Sequence, residues 1–95
     1  MEISTSSNQV TITGNIKTVM DFQELKSSVD LLSSQHKSIT INIVDSLSIT
    51  SSVIGYFTKL VLKDKVDINM NIGNEKLLEL LSELHLTTTF KARKA

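Results

Sequence analysis

The sequence contains no cysteine, and this absence excludes several kinds of chemistry. Without thiols there is no disulfide framework, no thiolate nucleophile and no cysteine-ligated metal. Glycine is scarce as well, because Gly14, Gly55 and Gly73 are the only three, and no glycine-rich loop is present to hold a nucleotide phosphate. Two histidines without cysteine give no metal-site spacing. We therefore expect neither a metal ion nor another cofactor.

An excess of charge of one sign is also missing, since ten basic residues balance ten acidic ones. A neutral surface has no electrostatic reason to bind a phosphate backbone, which argues against general nucleic-acid binding. The sequence has no Gly-x-Ser-x-Gly motif, and no two carboxylates are placed as an acid/base pair. His36 and His85 fall near the ends of predicted helices, where a solvated role is commoner than that of a catalytic base. We therefore do not expect an enzyme.

Long hydrophobic runs are absent too, because no apolar segment approaches the ~20 residues that span a bilayer. The segment Met1–Thr5 lacks the basic and apolar regions of a signal peptide, so we expect a cytoplasmic protein with no membrane insertion. Apolar residues make up 40% of the 95 residues, an ordinary value for a globular protein. This length suits a single small domain over residues 1–95.

The residues that are present alternate in a way that predicts strands with one buried face. Ser38–Ile43 and Val66–Ile72 place apolar side chains at every second position and Thr, Asn or Asp between them. Parallel strands that are covered on both faces have continuous apolar runs in their sequence instead. The sheet is therefore predicted to carry helices on one face only. Further strands are predicted at Met1–Thr5 and Val10–Thr13, which form a hairpin, and Thr87–Phe90 is predicted as a short edge strand before a frayed tail at 91–95.

Three apolar stripes at helical spacing predict three helices. The first helix runs roughly from Thr18 to Gln35, the second follows Thr50 and ends at the charged turn after residue 62, and the third starts after the N-cap Asn74. The elements follow the order ββαβαβα. Together they predict an α/β domain with a mixed sheet of four or five strands and helices on one face.

The most informative segment is the hydroxyl-rich start of the second helix. Thr50 is predicted to N-cap this helix, which leaves Ser51 exposed at a helix end that tolerates an anion or a phosphate. The hydroxyl residues fit two interpretations, a helix cap and a phosphorylation switch. Lys17 is a possible neighbour for a phosphate on Ser51. Gly55 inside the helix costs about 1 kcal/mol relative to alanine, which indicates close approach of another backbone or a partner.

These features together resemble the STAS domain, the fold of bacterial anti-sigma-factor antagonists. Val10–Lys17 is similar to the second strand of the family, which ends in Gly-x-Leu-Asp, and 77–90 is similar to its last helix and ending. The family motif Asp-Ser-Ser-Gly-Leu-Gly corresponds here to Thr50–Gly55. The sequence departs from the family at three positions near the motif, with Thr50 for Asp, Val53 for Gly and Lys17 for Asp.

The resemblance implies a non-enzymatic regulatory module that binds an anti-sigma factor or a serine-kinase-like protein in a partner-switching pathway, as a monomer or a dimer. Ser51 matches the serine that the partner kinase phosphorylates in the family. The implied partner-binding surface comprises Thr50, Ser51, Ser52, Gly55, Tyr56 and Lys59. The alternative is a STAS accessory subunit of a bacterial transporter complex, which binds its partner permanently and is not phosphorylated. The lost Asp and Gly residues favour this alternative.

Overall fold

The computed structural model describes all 95 residues, which form a five-stranded mixed sheet and three α-helices. Along the chain the elements are β1 (Glu2–Ser6), β2 (Gln9–Thr13), α1 (Val19–Ser33), β3 (Ser38–Ile43), α2 (Ser51–Leu62), β4 (Asp67–Ile72), α3 (Glu75–Glu83) and β5 (Ala92–Lys94). The strand order across the sheet is β1-β2-β3-β4-β5. β1 and β2 are antiparallel, and each following pair is parallel.

All three helices lie on one face of the sheet, as the alternation predicts. Each helix connects a parallel strand to its immediate neighbour, and successive right-handed crossovers in one direction place their helices on the same side. The burial pattern agrees, because Ile39, Ile41 and Ile43 of β3 are buried whereas Thr40 and Asn42 remain partly exposed. The prediction of an α/β domain with a one-sided mixed sheet is therefore confirmed. None of the helices is both long and apolar enough to cross a membrane.

One hydrophobic core fills the space between the sheet and the helices. Phe57 of α2 and Phe90 after α3 are fully buried, and their ring centroids lie 6.0 Å apart in an edge-to-face arrangement. Around them pack the apolar residues of β2, β3 and β4 and the inward stripes of α1, α2 and α3. The continuous core holds the starts of α1 and α2 in fixed positions above the sheet.

The C-terminal region differs from the sequence prediction. Thr87–Phe90 is not a strand but a turn, which places the Phe90 side chain in the core. The strand lies instead at Ala92–Lys94, within the tail that was predicted to fray, and the backbone N–H of Ala95 donates to the Ile72 carbonyl at 2.8 Å. Pairing with β4 orders this segment, and such a long-range contact leaves no local pattern in the sequence. The element order is therefore ββαβαβαβ.

Candidate binding site at the start of α2

The loops before α1 and α2 meet at one edge of the sheet. β2 and β3 are parallel, so their carboxyl ends lie side by side and the chain leaves both at the same edge. The backbone N–H of Gly14 donates to the Asp45 carboxylate at 2.7 Å, and that of Leu47 donates to the Asn15 side-chain oxygen at 2.9 Å. These two bonds hold the helix starts together.

The buried side chain of Ser46 joins the same two loops by hydrogen bonds. It is the one buried polar side chain of the chain, and its hydroxyl accepts from the Ile16 N–H at 3.1 Å and donates to the Ser48 carbonyl at 2.7 Å. On the β4 side of this loop, the backbone of Gly73 lies against the backbone of Val44, so close that a Cβ on Gly73 would lie 1.9 Å from the Val44 carbonyl oxygen. The loop that leads into α2 is thus packed between its neighbours, and the start of α2 is rigidly placed.

Thr50 is the N-cap of α2, as predicted. Its backbone is extended, and its hydroxyl oxygen accepts a hydrogen bond from the Val53 N–H at 3.3 Å. Ser51 and Ser52 are the first two helical residues, and both are exposed. The first turn of α2 contains no acidic residue. Both hydroxyls therefore stand in solvent near the positive end of the helix dipole, which favours an anion there.

Gly55 and Lys59 continue this exposed surface along α2. Apart from the adjacent residues and the backbone of α2 itself, a Cβ built on Gly55 meets no atom within 4 Å, so the close approach expected at this glycine does not come from another part of the protein. Lys59 is exposed and lies 4.0 Å from the Asp64 carboxylate, a distance at which the pair contributes little. Nothing inside the chain therefore requires a glycine at position 55.

Tyr56 does not belong to the exposed surface, which corrects the sequence expectation. Only 7% of its surface is accessible, because its position on α2 points toward α1. Its hydroxyl donates to the Asp30 carboxylate, and the Phe22 ring stands edge-on to it at 6.0 Å. Burial, together with this hydrogen bond and the Asp30 charge, raises the pKa of the Tyr56 hydroxyl. Tyr56 therefore joins α1 to α2 and offers no surface to a partner.

The carboxylate that receives the Tyr56 hydroxyl is itself held ionised. Partial burial of Asp30 disfavours its charge, but hydrogen bonds from Lys26 and Tyr56 outweigh that effect, and the pKa of Asp30 is lowered. The Lys26 ammonium lies 2.8 Å from the carboxylate and 5.7 Å from the Tyr56 ring centroid. This cluster fixes the spacing of α1 and α2 below their starts.

A pocket of about 430 Å³ opens between the starts of α1 and α2, and we call it the α1–α2 pocket. It is lined by Lys17, Thr18, Val19, Phe22, Gln23, Thr50 and Ser52. The structure thus brings Lys17 together with Thr50 and Ser52. Ser51 is not among the lining residues, so of the two serines only Ser52 lines the pocket together with Lys17.

Sequence reasoning missed the α1 side of this pocket, although a signal was present. Val19 and Met20 directly follow the N-cap Thr18, yet they fall off the apolar stripe that faces the core. In the structure they are 71% and 75% exposed. The two adjacent side chains form a small exposed apolar patch beside the pocket.

Comparison with known proteins adds no family assignment, because no family model, characterised protein or solved structure matches the chain. No group of three or more His, Cys, Asp or Glu side chains is placed to hold a metal ion. What the site does present is exposed hydroxyls, a lysine, exposed apolar side chains and an exposed helical glycine.

Proposed function

We propose that the protein is a non-enzymatic regulatory module that binds another protein through the exposed start of α2. We call the residues Thr50, Ser51, Ser52, Gly55 and Lys59 the α2 surface. The observation that carries the proposal is Gly55. A helical glycine costs about 1 kcal/mol relative to alanine, and the chain itself makes no use of the missing side chain. Close contact with a partner backbone at this point accounts for it.

The switch that we propose is phosphorylation of Ser51, as in the anti-sigma-factor antagonists that the sequence resembles. A phosphate adds about −1.5 to −2 charges at neutral pH. At the first turn of α2, which has no acidic residue, the helix dipole favours that charge, so the fold tolerates the modification. A partner seated on the α2 surface is then repelled. The proposed setting is a partner-switching pathway in the cytoplasm, with an anti-sigma factor or serine-kinase-like protein as the partner.

A second candidate is a permanent accessory subunit of a bacterial transporter complex, which uses the same surface without phosphorylation. The position of Lys17 favours it. This cation lines the pocket with Ser52 and not with Ser51, the hydroxyl that matches the phosphorylated serine of the STAS family. Thr50 and Lys17 also stand where the family has carboxylates. Both candidates require the α2 surface and differ in the identity of the partner.

Affinity capture from the native cell tests the proposal. The wild-type chain is compared with Gly55→Arg, which fills the open space on α2, and with the control Ser82→Arg, which adds the same side chain on the exposed face of α3. We expect capture by the wild type and the control but not by Gly55→Arg. Recovery of a histidine-kinase-like ATPase or a sigma regulator supports the switch, and recovery of a transporter ATPase or permease supports the subunit. Unchanged capture by Gly55→Arg would rule out the α2 surface.

A further inference from the structure

We propose that the α1–α2 pocket receives an acidic side chain, flanked by apolar residues, from a peptide segment of the partner protein. The inference rests on the proposed function, because it specifies which part of the partner enters the site. Its basis is the combination of an unpaired lysine, the absence of carboxylates in the lining, and exposed apolar side chains beside the pocket.

The charge of the pocket favours a carboxylate. Lys17 is the only charged residue among the seven that line it. The three ion pairs of the chain all involve other lysines, so no carboxylate of the protein lies within 4.0 Å of the Lys17 ammonium. An anionic group of the partner therefore meets a cation that has no competing internal partner.

The nearest acidic residue in sequence, Asp21, is engaged elsewhere. Its carboxylate accepts hydrogen bonds from the backbone N–H groups of Lys17 at 2.9 Å and Thr18 at 3.1 Å, and it does not line the pocket. Backbone hydrogen bonds from Lys17 and Thr18 lower the pKa of Asp21, so its charge serves the capping box at the start of α1. The net charge of the residues that line the pocket is therefore positive.

Two of the seven lining residues, Val19 and Phe22, are hydrophobic, and further exposed apolar side chains lie near the pocket. Val19 lines it at 71% exposure, and the adjacent Met20 is 75% exposed, the two highest values among the large apolar side chains that stand in solvent. Leu47 and Val44, on the loop after β3 at the same edge of the sheet, are 58% and 47% exposed. Exposed apolar side chains next to a pocket are common at protein-binding surfaces. We therefore expect the partner segment to carry apolar residues on both sides of its acidic side chain.

The same features distinguish a peptide from other anionic ligands. Nucleic acid requires many cations along a track, whereas this pocket offers one lysine on a chain whose net charge is 0. A nucleotide phosphate is usually held by a glycine-rich loop, and the pocket lining contains no glycine. One carboxylate with apolar neighbours matches both the single charge and the nearby apolar side chains.

The pocket is preformed, which lowers the entropic cost of filling it. Its Phe22 wall is supported from below by the buried Tyr56 ring, whose hydroxyl is bound to Asp30. The hydrogen bond from Leu47 to Asn15 holds the neighbouring loop in place. These contacts support the walls of the pocket in the absence of a peptide.

Selection of short random peptides displayed on phage against the full chain tests the inference. We expect the enriched sequences to carry Asp or Glu next to Leu, Ile, Met, Val or Phe. In NMR titrations a synthetic enriched peptide should shift the backbone amides of 17–23 and 50–53. Lys17→Glu should weaken its binding about tenfold or more, because like charges then face each other. A peptide with lysine in place of its acidic residue should recover binding to Lys17→Glu.

Lys76→Glu is the matched control, because it makes the same charge reversal at an exposed position on α3, which does not line the pocket. It should bind the peptide like the wild type. The inference is overturned if no peptide is enriched, if the enriched peptides are neutral or basic, or if Lys17→Glu binds as tightly as the wild type. If partner capture is lost in Gly55→Arg but kept in Lys17→Glu, the proposed function stands and the pocket inference fails. If neither substitution affects capture, both fail.

Discussion

Two exposed regions of this molecule differ in how many contacts their side chains make within the chain. One is the open face of the sheet, which no helix covers, and the other is the edge of the sheet where α1 and α2 start, which we call the α1–α2 edge. On the open face the side chains satisfy one another. Arg93 donates to the Asn71 side-chain oxygen at 3.1 Å, Asn71 donates to Asn42 at 2.8 Å, and Asn42 donates to Gln9 at 3.2 Å. This chain of hydrogen bonds crosses four strands and leaves few groups that need another molecule.

At the α1–α2 edge Asn15, Asp45 and Thr50 are hydrogen-bonded, but several exposed side chains make no such contact within the chain. Lys17 takes part in none of the ion pairs, Val19 and Met20 stand in solvent, and Gly55 faces open space. Both regions are accessible, so accessibility alone does not distinguish a binding surface. A binding surface is recognised instead by exposed groups whose presence is not explained by contacts within the chain. The substitutions below probe that contrast in order of decreasing effect on stability.

The largest effect is expected at Tyr56, beneath the α1–α2 edge. Tyr56→Phe removes the hydroxyl that donates to Asp30 and should lower the free energy of unfolding by about 1–2 kcal/mol, measured by urea denaturation at neutral pH. The pKa of Asp30 is lowered from its ordinary 3.8 in the folded state, so the stabilisation is present above that pH and is lost as the pH falls through the folded value. The difference between the two proteins should therefore shrink below about pH 4. A difference independent of pH would show that the hydrogen bond to Asp30 is not its source.

Gly55→Ala should change stability in the opposite direction. Its Cβ meets nothing within 4 Å, so the variant should gain about 1 kcal/mol in unfolding free energy from helix propensity alone. Thermal denaturation of the isolated protein measures this gain. Partner capture by the same variant should be weaker, because the added methyl group stands where the proposed partner backbone makes close contact. A loss of stability would mean that the glycine has a structural role inside the chain, and the contrast between the two regions would lose its clearest example.

Asn42→Ala breaks the hydrogen-bonded chain of the open face at its centre. Asn42 donates to Gln9 and Thr11 and accepts from Asn71, and it is only half-buried, so water replaces part of what is lost. We expect a decrease of about 0.5–1 kcal/mol in unfolding free energy. Partner capture and peptide binding should not change. A loss of either would place the open face in the binding site.

Ser51→Asp should have the smallest effect on stability, about 0.3–0.5 kcal/mol in favour of folding, because an acid at the first helical turn interacts well with the dipole. Its effect on partner binding should be large if the switch exists, and Ser51→Ala should bind like the wild type. Mass spectrometry of protein isolated under several growth conditions should find phosphate on Ser51 and not on Ser52. If Ser51 is never modified and Ser51→Asp binds normally, the permanent-subunit alternative is favoured.

Most helices and strands follow from local patterns in the sequence. The alternation in Ser38–Ile43 predicts β3, which has these bounds in the structure. The apolar stripe of α1 predicts a helix over 18–35, and the helix runs over Val19–Ser33, so its ends are predicted to within two residues. Thr50 was identified as an N-cap because a hydroxyl before an apolar stripe satisfies the free N–H groups of a helix start. These interactions join residues a few positions apart, so the sequence alone was sufficient for them.

Tertiary structure decided the rest, because the deciding contacts join residues far apart along the chain. Ala92–Lys94 became an edge strand because β4 lay open beside it, although Thr87–Phe90 has the higher strand propensity. Tyr56 was placed on the partner-binding surface that the family resemblance implies, but its side chain packs against α1 and its hydroxyl donates to Asp30. The α1–α2 pocket exists only because two parallel strands deliver two helix starts to the same edge of the sheet. Local sequence patterns therefore account for most of the helices and strands and for the faces they bury, while the last strand, the orientation of Tyr56 and the exposed residues that share a site depend on packing between distant segments.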